Sequence, residues 1–378
     1  VTEALPCFRR LRLTQFRNYS SLDWRMEGRL VALAGPNGAG KTNLLEALSF
    51  LGPGRGLRRA ALPSLARKGG DGGFSILADL EIGPVTHLFA TALLPGDAAR
   101  QSRFDREPIP SAGRFSEFVS FLWLTPDQDG LFRGAAGDRR RFLDRLVLAV
   151  DPAHAARAGA YEEALRQRNR LLEAPYPDQA WLDAIEREAA ELGVAIAAAR
   201  RETVTRLQGL IEQDRASIAP FPYAELSLEG AVETELAHGS ALQAEDWFRQ
   251  ALRDGRRRDQ AAGRALIGPQ ASDLIVLHGP KAEPAAQCST GEQKALLIGL
   301  VLAQAQLIRQ MRGAPPVLLL DEIAAHLDRT RRQALFAILD RLGGQAFLTG
   351  TDQSLFEGLP EAANSYEVQA GSVQPLRS

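Results

Sequence analysis

The stretch "GRLVALAGPNGAGKTNLLEALSFL", residues 28 to 51, decides the class of the fold. Its first eight residues are a short apolar run ending in glycine, the pattern of a buried strand. Residues 41 to 51 read as a helix. Between them, Gly35-Pro36-Asn37-Gly38-Ala39-Gly40-Lys41-Thr42 matches G-x-x-x-x-G-K-[ST], after a strand and opening a helix, the context that motif requires. The glycines let backbone N–H groups close around a phosphate, and the helix N-terminus favours an anion. Lys41 would then meet the β- and γ-phosphates of ATP, and Thr42 would bind Mg²⁺. A plain glycine-rich turn is the alternative. It gives no reason for lysine at 41 in a chain where only Lys41, Lys68, Lys281 and Lys294 stand among 45 basic residues. A slim ammonium fits between phosphates where a planar guanidinium does not.

Two later segments extend the reading. "PVLLLDE", residues 316 to 322, ends a buried strand with two carboxylates, which are costly to bury unless paired or metal-bound. Asp321 at the strand tip suits a Mg²⁺ shell, and Glu322 suits a general base for an attacking water. The alternative is a helix N-cap. "QCSTGEQKALL", residues 287 to 297, opens a long apolar helix. Ser289 and Glu292 form a capping box there. That leaves Gly291 unexplained, because glycine weakens the first turn it occupies. A close approach by something outside the helix would account for it.

The remaining chain sets the organisation. With 378 residues, 45% hydrophobic and 24% charged, it is long enough for a large domain plus an addition, or two domains. "RRLRLTQF" (9 to 16) and "FSILADL" (74 to 80) have strand periodicity, so the first 120 residues read as a mixed β/α half-domain. From about residue 140 the texture is helical. "APYPDQ" (174 to 179) breaks one helix from the next, whose apolar positions Trp181, Ile185, Leu192, Ile196, Val204, Leu207 and Ile211 mostly recur at helical steps. The expected product is a helical hairpin around residues 154 to 215. Its polar outer faces favour a projecting arm over a bundle packed on the core. Strand patterns return at "YAELSLEG" and "DLIVLHG", and the last 90 residues alternate helix and strand through "AFLTGTD". The predicted fold class is therefore α/β, with one head built from residues 1–125 and 260–378 and a helical insertion at 126–259.

Bulk properties exclude several classes. No apolar run approaches the ~18 residues of a membrane span, and no secretory signal pattern opens the chain. Cys7 and Cys288 are too few for a disulfide framework, so a reduced, cytoplasmic setting is expected. The net charge of -1 gives no whole-molecule attraction to nucleic acid. DNA contacts would have to come from local clusters: Arg55-Arg58-Arg59, Arg139-Arg140-Arg141 or Arg256-Arg257-Arg258. Each is also readable as a solvated charge run. No motif for reading the major groove is present, so contacts would be independent of base sequence.

The order S-x-G-x-Q, a D-E strand end about 30 residues later, "AAHLD" and "TGTD" is similar to that of an ABC-type ATPase head. More narrowly, Phe16-Arg17-Asn18-Tyr19, the run from Asn37 to Ala47, "WLTPDQDGLFRGAAGDRRRFLD" (123 to 144), "YEEALRQRN" (161 to 169), "GPQASDL" (268 to 274) and "STGEQKALL" resemble blocks of the RecF family, in its order. The resemblance spans nearly the whole chain. It implies an SMC-like P-loop head with an inserted helical arm, slow DNA-stimulated ATP hydrolysis as a switch and an ATP-dependent homodimer. It also implies binding to double-stranded and gapped DNA, and help in loading RecA with RecR, in DNA replication and recombinational repair. By position it implies ATP·Mg²⁺ contacts at Gly35, Asn37, Gly38, Ala39, Gly40, Lys41, Thr42 and Asn43. Asp321 and Glu322 become the acidic pair, and Ser289 and Gly291 a signature that acts in trans on a partner's nucleotide. Gln128 falls at the metal-contacting Q-loop, Leu327-Asp328 in the D-loop, and Thr351 near the switch position. Arg55 and Arg58 fall in the family's basic segment after the phosphate loop and are the favoured DNA contacts. Gln270 stands where the family often has His, Glu292 where Gln is common, and Thr351 where many ABC heads have His. The rival readings are another ABC-type ATPase subunit, which the FRNY segment and long insertion disfavour, and an ATP-gated structural clamp with negligible turnover. A small-molecule kinase would need no trans signature.

Overall fold

The computed structural model describes residues 5–376, and they form two compact units. The first unit comprises the described residues up to Asp129, then Asp214–Pro222, then those from Thr290 onward; the second comprises Gly130–Gln213 and Tyr223–Ser289. The first opens with β1 (Cys7–Phe16), β2 (Tyr19–Arg25), β3 (Leu30–Ala34) and α1 (Lys41–Ser49). It continues through β4 (Phe74–Ile82), β5 (Val85–Leu93), β6 (Gln101–Phe104), β7 (Glu107–Ile109) and β8 (Phe121–Leu124). The second unit supplies α2 (Ala136–Val150), α3 (His154–Leu172), α4 (Gln179–Gln213), β9 (Ala224–Glu229), α5 (Ala231–His238), α6 (Ala241–Asp254), α7 (Arg256–Ala262), β10 (Asp273–His278) and β11 (Glu283–Pro284). The chain returns to the first unit for α8 (Thr290–Arg312), β12 (Val317–Leu320), α9 (Arg329–Leu342), β13 (Ala346–Gly350), β14 (Asn364–Gln369) and β15 (Ser372–Pro375).

Two sheets build the first unit. One is antiparallel, in the order β2-β1-β4-β5-β6-β7. The other runs β15-β14-β3-β13-β12-β8 and is parallel except for β15. Strands β3, β12 and β13 are buried along their whole length, which is why they read as unbroken apolar runs rather than alternations. In β1, by contrast, Leu11 and Leu13 enter the core while Arg12 stays half-buried and pairs with Asp79 at 2.7 Å. The core joins both sheets to Leu44, Leu45, Ala47 and Leu48 of α1. Phe89 stacks on Phe115 there with centroids 4.3 Å apart. Burying each such ring stabilises the unit by roughly 1.5–3 kcal/mol.

The second unit departs from three expectations. The hairpin of α3 and α4 exists, but α5 and α6 pack along α4 as well, so it is one edge of a bundle rather than a bare arm. Val232, Leu236, Phe248 and Leu252 share a core with Ile185, Ala189 and Val194, and a Cβ on Gly193 would lie 2.6 Å from Phe248. Trp181, placed in the apolar stripe by its spacing, is 56% exposed at the start of α4. The boundaries shift too: residues 126–129 cluster with the head, while 260–289 cluster with the helices. The reason is β10, which pairs with β9 and is tied to α2 by Arg139, whose guanidinium meets Asp273 at 2.8 and 2.6 Å. A buried Arg168 holds this unit together, bonded to Glu186 at 2.9 Å, Asp259 at 2.8 Å and the Leu252 carbonyl at 2.6 Å. Among the described residues no helix is long and apolar enough to cross a membrane.

Candidate active site

The segment after β3 makes a loop that only glycine permits at its ends. Gly35 has φ 156°, and a Cβ there would lie 2.3 Å from the Val368 carbonyl oxygen. Gly38 and Gly40 have φ 82° and 113°. No side chain caps α1 and no acid occupies its first turn, so the N–H groups of its N-terminus remain aimed at the loop's hollow. Pro36, Asn37 and Gly38 are exposed, whereas Ala39 is buried. Lys41 is 4% exposed; its Nζ donates to the carbonyls of Gly35 at 2.6 Å and Pro36 at 3.0 Å. Burial lowers its pKa, opposed by the nearby charges of Glu322 and Asp321.

The end of β12 brings the acids to this loop. Thr42 Oγ1 donates to Asp321 Oδ1 at 3.0 Å, and Thr349 Oγ1 donates to the same oxygen at 2.7 Å. Burial raises the Asp321 pKa, and the two hydroxyl bonds oppose that rise. The Glu322 N–H donates to Thr349 Oγ1 at 2.9 Å, holding Glu322 at φ 55°, a left-handed conformation uncommon for non-glycine residues. Hard oxygen donors at Thr42 and Asp321 fit Mg²⁺, which takes few protein ligands and completes its octahedron with phosphate oxygens and water. No local pattern marks Thr349; the sequence points instead to Thr351, two residues on, and that residue is exposed. Gln128 sits just past β8, the neighbour of β12, but its Oε1 accepts from the Thr125 N–H at 3.1 Å and caps the turn. Asp328 caps α9, accepting from the Arg331 N–H at 2.9 Å, and Leu327 is buried.

The signature segment lies exposed at the start of α8. Ser289 and Gly291 are both on the surface, and nothing stands within 4 Å of the position a Gly291 Cβ would take. No atom of the described chain therefore requires glycine at 291. One turn on, Lys294 is buried and donates to Asp129 Oδ2 at 2.8 Å.

The hairpin turn between β1 and β2 also reaches the loop. Asn18 Nδ2 donates to the Ala39 carbonyl at 3.0 Å, and Tyr19 OH donates to the Gly40 carbonyl at 3.2 Å. Asn43 donates to Asn18 Oδ1 at 2.7 Å and accepts from Arg58 at 2.8 Å, so its amide serves as a bridge between those two side chains. Glu46, fully buried on α1, accepts from Nε and Nη2 of Arg17, each at 2.8 Å, and from Arg58 Nη1 at 3.2 Å.

The arginine clusters differ in how far they are committed within the chain. Arg55, Arg58 and Arg59 are exposed, with Arg58 also bonded as just described. Arg139 and Arg140 are half-buried and bond inside the second unit, to Asp273 and to the Ser272 carbonyl at 2.6 Å, so they are more committed within the chain than Arg55 and Arg59. Arg141 is exposed beside Asp138. Arg256 binds Glu186, Asp183 and Gln179, while Arg257 and Arg258 are exposed. Gln270 is fully used as well: it accepts from the Tyr161 hydroxyl and donates to the carbonyls of Ala265 and Ile267.

Known proteins resemble this chain in sequence and in fold. A family model described as "AAA domain, putative AbiEii toxin, Type IV TA system" matches residues 30–83. The DNA replication and repair protein RecF of Brucella abortus (strain 2308) is 53% identical over 373 residues, 97% of this chain and 95% of its own length. The protein of the same name from Mesorhizobium japonicum is 52% identical over 368 residues, 97% of each chain. Among solved structures, that of the recombination mediator protein RecF-ATPrS in the RecFOR pathway superposes with a TM-score of 0.87 at 20% identity, covering 99% of both chains. An Smc head domain with an extended coiled coil, bound to the C-terminal domain of ScpA and derived from Pyrococcus furiosus, gives 0.55 at 14% identity over 98% of this chain and 96% of that one. The fold is that of an ABC-type, SMC-like ATPase head.

Proposed function

The chain belongs to the RecF family, and on that premise we propose that it is an ATP-switched, DNA-binding protein of replication and recombinational repair. Lys41 and the N–H groups of Gly38, Gly40 and Lys41 hold the phosphates of ATP, with Gly35 and Asn37 shaping the loop. Thr42 and Asp321 would hold Mg²⁺, whose charge would offset that of the phosphates. Glu322 takes the proton of the attacking water. Ser289 and Gly291 of one protomer close on the nucleotide of a second copy, so ATP makes the homodimer and slow hydrolysis releases it. Arg55 and Arg59, with Arg58 behind them, bind double-stranded or gapped DNA through phosphates. The dimer then assists RecA loading together with RecR, in the cytoplasm.

The observation that carries this reading is the pairing of two features in one chain. A phosphate loop is bonded through Thr42 to a buried Asp321, and an exposed signature turn holds a glycine that nothing within the described chain requires. Size-exclusion runs with ATP, ADP and no nucleotide test the dimer; ATPase assays with and without duplex DNA test the switch. A monomer under every nucleotide condition overturns the trans reading. Turnover that duplex DNA leaves unchanged overturns DNA stimulation.

A further inference from the structure

The bonds from the β1–β2 turn to the phosphate loop have a geometric consequence. A trans peptide group is planar, with its C=O and N–H pointing in opposite directions. Asn18 holds the Ala39 carbonyl, so the N–H of Gly40, in the same peptide plane, points away from Asn18. The Gly40 carbonyl is held by Tyr19 OH at 3.2 Å together with the Leu44 N–H of α1 at 3.1 Å, so the N–H of Lys41 points away from Tyr19, toward the open end of α1. A Cβ on Gly40 would lie 2.6 Å from both Asn18 Nδ2 and Tyr19 OH, which shows how closely the turn is seated on the loop. Arg17 anchors the turn through the buried Glu46, and Asn43 orients the Asn18 amide. We propose that Asn18 and Tyr19 are positioning residues. They hold two peptide planes of the loop so that the N–H groups of Gly40 and Lys41 converge on a phosphate before nucleotide arrives. This rests on reading the loop as the ATP site. Both act through the loop backbone, and what they set is nucleotide affinity.

Asn18→Ala and Tyr19→Phe each remove one bond and leave Lys41, Thr42 and Glu322 in place. Each variant is expected to weaken MgATP binding about two- to tenfold, the usual range for one hydrogen bond. KM rises with kcat retained, and amide exchange in residues 36–43 of the nucleotide-free protein becomes faster. Asn18→Gln, which keeps the amide, recovers part of the affinity. Unchanged affinity and unchanged exchange in folded variants overturn the proposal, as does a fall in kcat at constant KM. Asn18 is exposed, so Asn18→Ala alone decides the matter if the buried Tyr19 tolerates no change. Wild-type protein that fails to bind MgATP refutes instead the assignment of the loop.

Discussion

Thr42 and Asp321, 279 residues apart in sequence, are joined by a hydrogen bond of 3.0 Å between Thr42 Oγ1 and Asp321 Oδ1. The bond links the first turn of α1 to the end of β12, and it places a carboxylate at 4% exposure beside the phosphate loop. A carboxylate in that position costs folding energy unless a cation arrives.

That cost makes Asp321→Asn a two-sided variant. The Asp321 pKa is raised above its ordinary 3.8 by burial, so the folded chain holds the proton more tightly than the unfolded chain. Wild-type stability therefore falls relative to the Asn variant as pH rises through and above that value, and the gap closes below it. Melting curves without nucleotide should show the Asn variant the more stable at neutral pH and equal to wild type near pH ~3.5. ATP turnover should fall, because an amide is a poorer Mg²⁺ ligand than a carboxylate. A lower melting temperature at neutral pH would mean that the charged form is already compensated within the chain.

Glu322→Gln should keep MgATP binding and slow hydrolysis by ~100-fold or more, because the amide cannot take the water's proton. Dimers formed on ATP should then persist on a sizing column. Thr349→Val tests the hydroxyl that bonds both Asp321 and the Glu322 N–H. It should cut kcat by roughly tenfold while leaving affinity near wild type, since it releases Glu322 from its left-handed backbone without touching the loop. Equal turnover in either variant removes that residue from the proposed chemistry.

Gly291→Ala separates folding from assembly. Nothing obstructs the new methyl within the described chain, and alanine favours the first turn of α8, so the monomer should gain ~0.5–1 kcal/mol. The ATP-dependent dimer should nevertheless weaken or vanish, and Ser289→Arg should block it outright. Mixing Lys41→Ala chains with Ser289→Arg chains leaves one composite site intact in each mixed dimer. Some ATPase should return in the mixture, and none in either variant alone. A mixture as inactive as its parts across a concentration series contradicts action in trans.

Arg55→Ala with Arg59→Ala should weaken duplex binding at every sequence and flatten its dependence on salt, by about one unit of log–log slope for each phosphate left without its arginine. Arg58→Ala should also lower stability, because it removes bonds to Asn43 and to the buried Glu46. Arg17 still pairs with Glu46, which limits that destabilisation. Wild-type salt slopes in the double variant would move the DNA face to Arg141, Arg257 or Arg258.

What is legible in the sequence follows from how locally each feature is encoded. β3, its loop and the start of α1 can be read because a strand buried on both faces is a continuous apolar run and the loop motif is contiguous. Asp321 and Glu322 can be read for the same reason. Thr349 cannot, since its role arises only when β13 lies beside β12 in register; the sequence points to Thr351 instead. The contacts of Asn18 and Tyr19 depend on where a hairpin turn lands, although the FRNY quartet marks the place. Arg139 looks like part of a charge cluster because its partner Asp273 lies 134 residues away. The bundle around α4 escapes the helical-hairpin reading even though Ser240 and Gln243 form a capping box that announces α6.

The place of β3 between β13 and β14 bears on how the protein is made. Leu30–Ala34 leave the ribosome early, yet neither flanking strand exists until the chain has been extended past Ala346 and Asn364. Until then this apolar segment has no sheet to join, and its pairing across so long a separation is slow to form. The phosphate loop hangs from β3 and is braced by the Gly350 carbonyl, which accepts from the Gly35 N–H at 3.2 Å. An incomplete chain therefore has the motif without the shape. In the proposed cycle, competence to grip nucleotide would arrive only with the last strands, and an unfinished product would stay outside it.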